Sequence, residues 1–79
     1  MSEKAFVLIE TAVGKTKEIY NALHKLGDVK SVDAVTGPYD IIIAIEGADP
    51  DGIANTIAKK IHDIPGINRM VICLCIQLR

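Results

Sequence analysis

The feature that most constrains this chain is a hydrophobic pattern that switches repeatedly between a strand-like and a helix-like period within 79 residues. Ala5-Phe6-Val7-Leu8-Ile9 is a short apolar run, which predicts a first strand over about 4–11. Gly14 breaks it. From Lys15 onward Ile19, Leu23 and Leu26 fall at i, i+4 and i+7, which predicts a helix ending at Gly27. Ser31 to Val35 roughly alternates and predicts a half-polar second strand. Thr36-Gly37-Pro38-Tyr39-Asp40 is turn chemistry, and Ile41 to Ile45 is a continuous apolar third strand, so 31–45 reads as a β-hairpin. Asp49 and Pro50 then suit an N-cap and a first helical position. Ile53, Ala54, Ile57, Ala58, Ile61 and Ile64 form the stripe of a second helix, which Pro65-Gly66 stops. The last strand is expected over Met70 to Ile76, all apolar.

The order β-α-β-β-α-β predicts an α+β, ferredoxin-like sandwich: a four-stranded antiparallel sheet with two helices on one face. Right-handed crossovers give strand order 4-1-3-2. The two halves echo each other, since Leu26-Gly27-Asp28-Val29 follows the first helix as Ile64-Pro65-Gly66-Ile67 follows the second. A chain this short is expected to be one domain over 1–79. Hydrophobic residues at 49% argue against disorder. A net charge of −1 gives no basic footprint, so no direct nucleic-acid contact is expected. Three aromatic side chains, Phe6, Tyr20 and Tyr39, do not make a base-stacking platform. No run approaches the ~20 apolar residues of a membrane helix, and the start lacks a signal peptide. The expectation is a soluble, cytoplasmic protein with no membrane partner.

In this fold the helices cover one sheet face, so a monomer should show strands that alternate strictly between apolar and polar. The first, third and fourth strands do not alternate. Each buried Val, Leu or Ile is worth roughly 1.5–3 kcal/mol, so a sheet face of this kind favours cover by a second copy. A homo-oligomer built through sheet faces is therefore expected; the alternative is a monomer with an apolar binding groove. The fourth strand would also be an apolar sheet edge that a partner should shield.

Candidate chemistry is sparse. Cys73 and Cys75 are two apart on a strand, which is not a zinc-ligand spacing, and they read as buried apolar residues of a core or interface strand. His24 and His62 have no acid–nucleophile companions and read as solvated helix residues. Gly14-Lys15-Thr16 lacks the upstream glycine of a phosphate-binding loop. No metal site, cofactor or catalytic group is expected, and the chain reads as a non-enzyme. The 36–40 loop is more informative. Thr36 and Asp40 bring a hydroxyl and a carboxylate to one turn, Gly37 permits close backbone approach, and Tyr39 offers a flat ring with a polar tip. A carboxylate can bind an ammonium group, and backbone N–H groups can bind a carboxylate. The same residues also suit an ordinary hairpin with a solvent-facing Asp.

Val35-Thr36-Gly37-Pro38-Tyr39-Asp40 followed by Ile-Ile-Ile-Ala-Ile-Glu resembles the hairpin of the Lrp/AsnC family's C-terminal effector domain, the RAM (regulation of amino acid metabolism) domain. Ala-Phe-Val-Leu-Ile-Glu-Thr with its following Gly-Lys helix, and Ile-Pro-Gly-Ile before the last strand, resemble it as well. The resemblance covers essentially the whole chain. It implies an effector domain without the family's N-terminal helix-turn-helix. It also implies dimerisation through sheet faces, further assembly into octamers or related rings, and an amino-acid effector bound between dimers. By position, Thr36, Gly37, Tyr39 and Asp40 would line that ligand site. The family often places Ser or Thr in the last strand opposite the hairpin; the corresponding positions here are Met70 and Ile72, which point to a more apolar ligand or to none.

Two functional readings follow. The first is a small-molecule-binding regulatory module, with an amino acid as effector, that self-assembles and modulates a full-length Lrp/AsnC-type regulator. The second is a purely structural oligomerisation module with an idle loop. Two further classes share the fold. Dimeric α+β barrels enclose catalytic pockets but need inward polar groups, and ACT-type domains sense amino acids.

Overall fold

The computed structural model describes residues 3–76 and 78. The elements run β1 (Glu3–Thr11), α1 (Thr16–His24), β2 (Val29–Ala34), β3 (Ile41–Gly47), α2 (Pro50–Thr56), a π-helical segment (Ile57–Ile61) and β4 (Ile67–Leu74). All strand pairs are antiparallel in the order β2-β3-β1-β4, which is the expected ferredoxin-like arrangement.

Local chemistry sets the element ends. The Asp49 side chain accepts from the Gly52 N–H at 2.7 Å and caps α2, with Pro50 in its first turn. Helix α1 stops at His24 rather than at Gly27. Its last turn tightens instead, with Lys25 and Leu26 N–H groups donating to the Ala22 and Leu23 carbonyls. The second helix is not uniform. The His62 N–H donates to the Ile57 carbonyl, five residues back, and the segment from Ile57 widens. Ile53, Ile57 and Ile61 are all buried. In a pure α-helix each four-residue step overshoots the turn by about 40°. The wider π turn reverses that drift and keeps the three isoleucines over the sheet.

Strand β4 begins three residues before the expected start, because Thr11 pairs with Ile67 and Glu10 with Arg69. Polar Asn68 and Arg69 hid this end in the sequence. Gly66, just before it, has φ +96°, and a Cβ there would stand 3.1 Å from the Lys15 Cβ and 3.2 Å from the Ile19 Cδ1. Its carbonyl accepts from the Ala12 N–H at 2.7 Å. The Ile-Pro-Gly-Ile segment thus packs tightly on the start of α1.

The core lies between sheet and helices: Ala5, Val7 and Ile9 from β1, Ile41, Ile43 and Ile45 from β3, with Ile19, Leu23, Ile53, Ile57 and Ile61 from the helices. The opposite face is apolar too. Phe6 and Leu8 of β1, Ile42 of β3 and Val71 and Cys73 of β4 share its parity. Phe6 and Val71 are each 36% accessible. The helices leave β4 uncovered even on their own side, so Ile72 and Leu74 are half-exposed there. Cys73 and Cys75 are exposed free thiols, so of the two expected settings, a core or an interface strand, the chain's own core is ruled out.

Candidate functional site

The hairpin loop closes where the Val35 N–H donates to the Asp40 carbonyl at 2.9 Å. The Asp40 N–H donates to the Ile9 carbonyl at 2.9 Å, so the loop joins the β1–β3 ladder at once. Gly37 has φ +127°, a conformation L side chains rarely adopt, and open space around it. Thr36, Gly37 and Pro38 are exposed, and Tyr39 and Asp40 are half-buried.

Asp40 faces inward. Its Oδ2 accepts from the Thr11 N–H at 2.8 Å and from the Thr11 hydroxyl at 3.1 Å. The Thr11 Oγ1 also lies 2.7 Å from the Thr16 Oγ1. A hydroxyl has one proton. With the Thr11 proton on Asp40, Thr16 is the donor to Thr11. The chain Thr16–Thr11–Asp40 therefore ties together the first residue of α1, the last of β1 and the residue just before β3. Thr11 is the one buried polar side chain among the described residues, and it is satisfied.

Tyr39 reaches in another direction. The Arg69 Nη2 donates to its hydroxyl at 3.0 Å, and the guanidinium carbon lies 5.4 Å from the ring centroid. Arg69 is exposed, and among the described residues it forms no ion pair. Glu10, opposite it in register on β1, does not close on it. The structure thus brings to the loop a cation that the sequence pattern did not reveal.

The remaining expected site residues separate. Met70 sits in the row Ile41–Ile9–Met70 across the sheet, next to the hairpin, but packs partly buried against the core. Ile72 lies one strand repeat further away, in the row with Ile43 and Val7. No register row links Thr36 or Gly37 to β4. Arg69 could have been found only by pairing β4 correctly with β1, because it is hidden in an ordinary polar stretch. A shallow hollow lined by Lys4, Pro50, Leu74 and Ile76 lies at the other end of β1. Its volume is about 210 Å³, below the ~300–1,000 Å³ usual for ligand pockets.

The comparisons decide the family. A model of the Lrp/AsnC ligand binding domain matches residues 4–78. The chain belongs to the Lrp/AsnC ligand-binding-domain family. Among curated relatives, the HTH-type transcriptional regulator FL11 of Pyrococcus abyssi is 32% identical over 63 residues, which are 80% of this chain and 41% of FL11. The chain therefore spans less than half the length of that regulator. The crystal structure of FFRP-DM1 superposes with a TM-score of 0.88 at 31% identity, covering 94% of this chain and 99% of that one. The NMB0573 regulator of Neisseria meningitidis, solved in an L-Met complex, shares the fold with a TM-score of 0.84 at 16% identity. That match covers 95% of this chain and 50% of the regulator. The hairpin that the family resemblance singled out is thus the loop held by Asp40 and Thr11. Among the described residues no helix is long and apolar enough to cross a membrane.

Proposed function

We propose that this Lrp/AsnC domain is a regulatory module that binds a small effector, an amino acid, at its 36–40 hairpin. It self-assembles through its open sheet face and modulates helix-turn-helix transcription regulators in the cytoplasm. One observation carries the binding part: a loop with an exposed backbone at Thr36 and Gly37 is braced from behind by Asp40 and Thr11 and flanked by the Arg69 cation, which is unpaired among the described residues. Such a loop is preorganised, so little ordering entropy opposes binding. The open face, with Phe6 and Val71 accessible, supports assembly. The regulator FL11 and the L-Met complex of the Neisseria protein support the regulatory and effector parts.

A dye-based thermal-shift screen against the amino acids tests the reading. A ligand at 100 times its dissociation constant adds about 2.7 kcal/mol, which moves the midpoint of a domain this size by several degrees. A selective shift with one class of amino acid is the expected outcome. No shift with any of them would remove the effector role. A second reading, an assembly module with an idle loop, is favoured by Met70 lying against the core and by the engagement of Asp40.

A further inference from the structure

The two charged groups at the hairpin are not equivalent. Asp40 is half-buried, and its Oδ2 already accepts from both the N–H and the hydroxyl of Thr11. Arg69 is exposed and engages Tyr39 through one terminal nitrogen. A guanidinium has five N–H donors in a planar fork, and the Tyr39 hydroxyl and ring hold that fork at the loop. The arrangement leaves most of the donors unengaged among the described residues. A fork of that shape takes a carboxylate bidentately. The one carboxylate of the loop, Asp40, is half-buried with its Oδ2 committed to Thr11, so less of it than of the Arg69 fork is left for a ligand.

We infer that the hairpin site reads its ligand by the carboxylate, through Arg69, and does not read the amino group. Asp40 is a positioning residue that braces the loop through Thr11. The ligand class is an apolar carboxylic acid, for which the α-amino group is dispensable. Met70 points to the helix side of the sheet and so does not line the Arg69 side of the loop. The inference rests on the reading that the hairpin binds a small molecule, and it specifies which charge that molecule must carry.

The test is a matched set titrated into the full chain by calorimetry: leucine, 4-methylpentanoate and 3-methylbutylamine, then the corresponding sets built on methionine and phenylalanine. The expected result is that an amino acid and its deaminated acid bind within about tenfold of each other, while the amine does not bind. Arg69→Gln should weaken the acid at least about tenfold, because a charge-assisted bidentate contact is lost. Asp40→Asn keeps an acceptor for Thr11 and should weaken acid binding less than Arg69→Gln does. Binding of the amino acid alone, with the acid ineffective, overturns the inference and leaves the effector reading standing. Loss of binding in Asp40→Asn with Arg69→Gln unaffected does the same. No binding by any member of any set overturns both. If Asp40→Asn fails to fold, the matched set on the wild-type chain still decides.

Discussion

Asp40 shows how a residue that looks like a ligand group can also brace a loop. From the loop sequence alone its carboxylate is a candidate for an ammonium ion. In the fold it accepts two hydrogen bonds from Thr11, 29 positions away. Hydrogen bonds to a charged group are worth about 1.5–3 kcal/mol each. Thr11→Val keeps the shape and the N–H bond but removes the hydroxyl that joins Asp40 to Thr16. We expect it to lose about 1.5–3 kcal/mol in a urea unfolding titration with an unchanged slope. A loss below about 0.5 kcal/mol, the ordinary range of surface substitutions, would show that the chain of hydroxyls does not hold the loop. The Thr11 role was not legible because its partner is fixed by strand register, which a single sequence does not print. Gly66 is the opposite case. Its position after Pro65 marked a turn, and the structure adds a positive φ and a close approach to Lys15 and Ile19. Gly66→Ala should cost about 1–3 kcal/mol, from backbone strain and from pushing α1 away. An unchanged melting temperature would refute that account.

Elements were read more reliably than their ends. The six segments of regular structure follow largely from period: apolar runs mark β1, β3 and β4, rough alternation marks β2, and apolar residues three to four apart put a stripe on each helix. What period cannot show is a helix that changes type. Ile53, Ile57 and Ile61 keep the same spacing whether the backbone is α or π, so the widening after Thr56 left no trace in the pattern. It arises from the sheet, which needs all three side chains on one line. Ile61 is fully buried at the end of that line. Ile61→Ala should therefore cost about 2–5 kcal/mol, the range for large-to-small core changes. Ala58→Ser, on the exposed side of the same segment, should stay within about 0.5 kcal/mol. Equal effects of the two changes on the unfolding midpoint would mean that the π segment does not hold the core. The early start of β4 follows the same logic. Asn68 and Arg69 look like loop residues until their pairing with β1 is known, and with them went the cation beside the hairpin.

At the scale of the whole molecule, the domain has more apolar surface than its own helices can cover. A chain of this size buries only roughly 60% of the surface its unfolded form exposes, so its stability is marginal without a partner. Here the shortfall has a location. Phe6, Val71 and Cys73 lie together on the open face, and Ile72 and Leu74 on the uncovered side of β4. That both strand parities are apolar was visible in the sequence; that the helices stop short of β4 was not, because it depends on where α2 crosses the sheet. If the open face is the contact between copies, Val71→Lys should place a charge in an apolar interface and release monomers in sedimentation equilibrium. Lys59→Glu, on the exposed side of the π segment, should leave the assembly intact. The monomers should also melt earlier than the assembly, because burying each such side chain is worth roughly 1.5–3 kcal/mol. A wild-type chain that sediments as a monomer at micromolar concentration would assign the face to another protein instead. Mixing with a full-length regulator of the family would then show whether heteromers, rather than copies of this chain, cover it. The hairpin lies at one end of this sheet, with Arg69 on the same parity as Val71 and Cys73. Assembly through the open face therefore brings a second copy towards the carboxylate-reading group. Ligand affinity should then fall with Val71→Lys even though a lysine two positions from Arg69 on the same face would itself attract a carboxylate. Unchanged affinity in the monomeric variant would show that one copy holds the whole site.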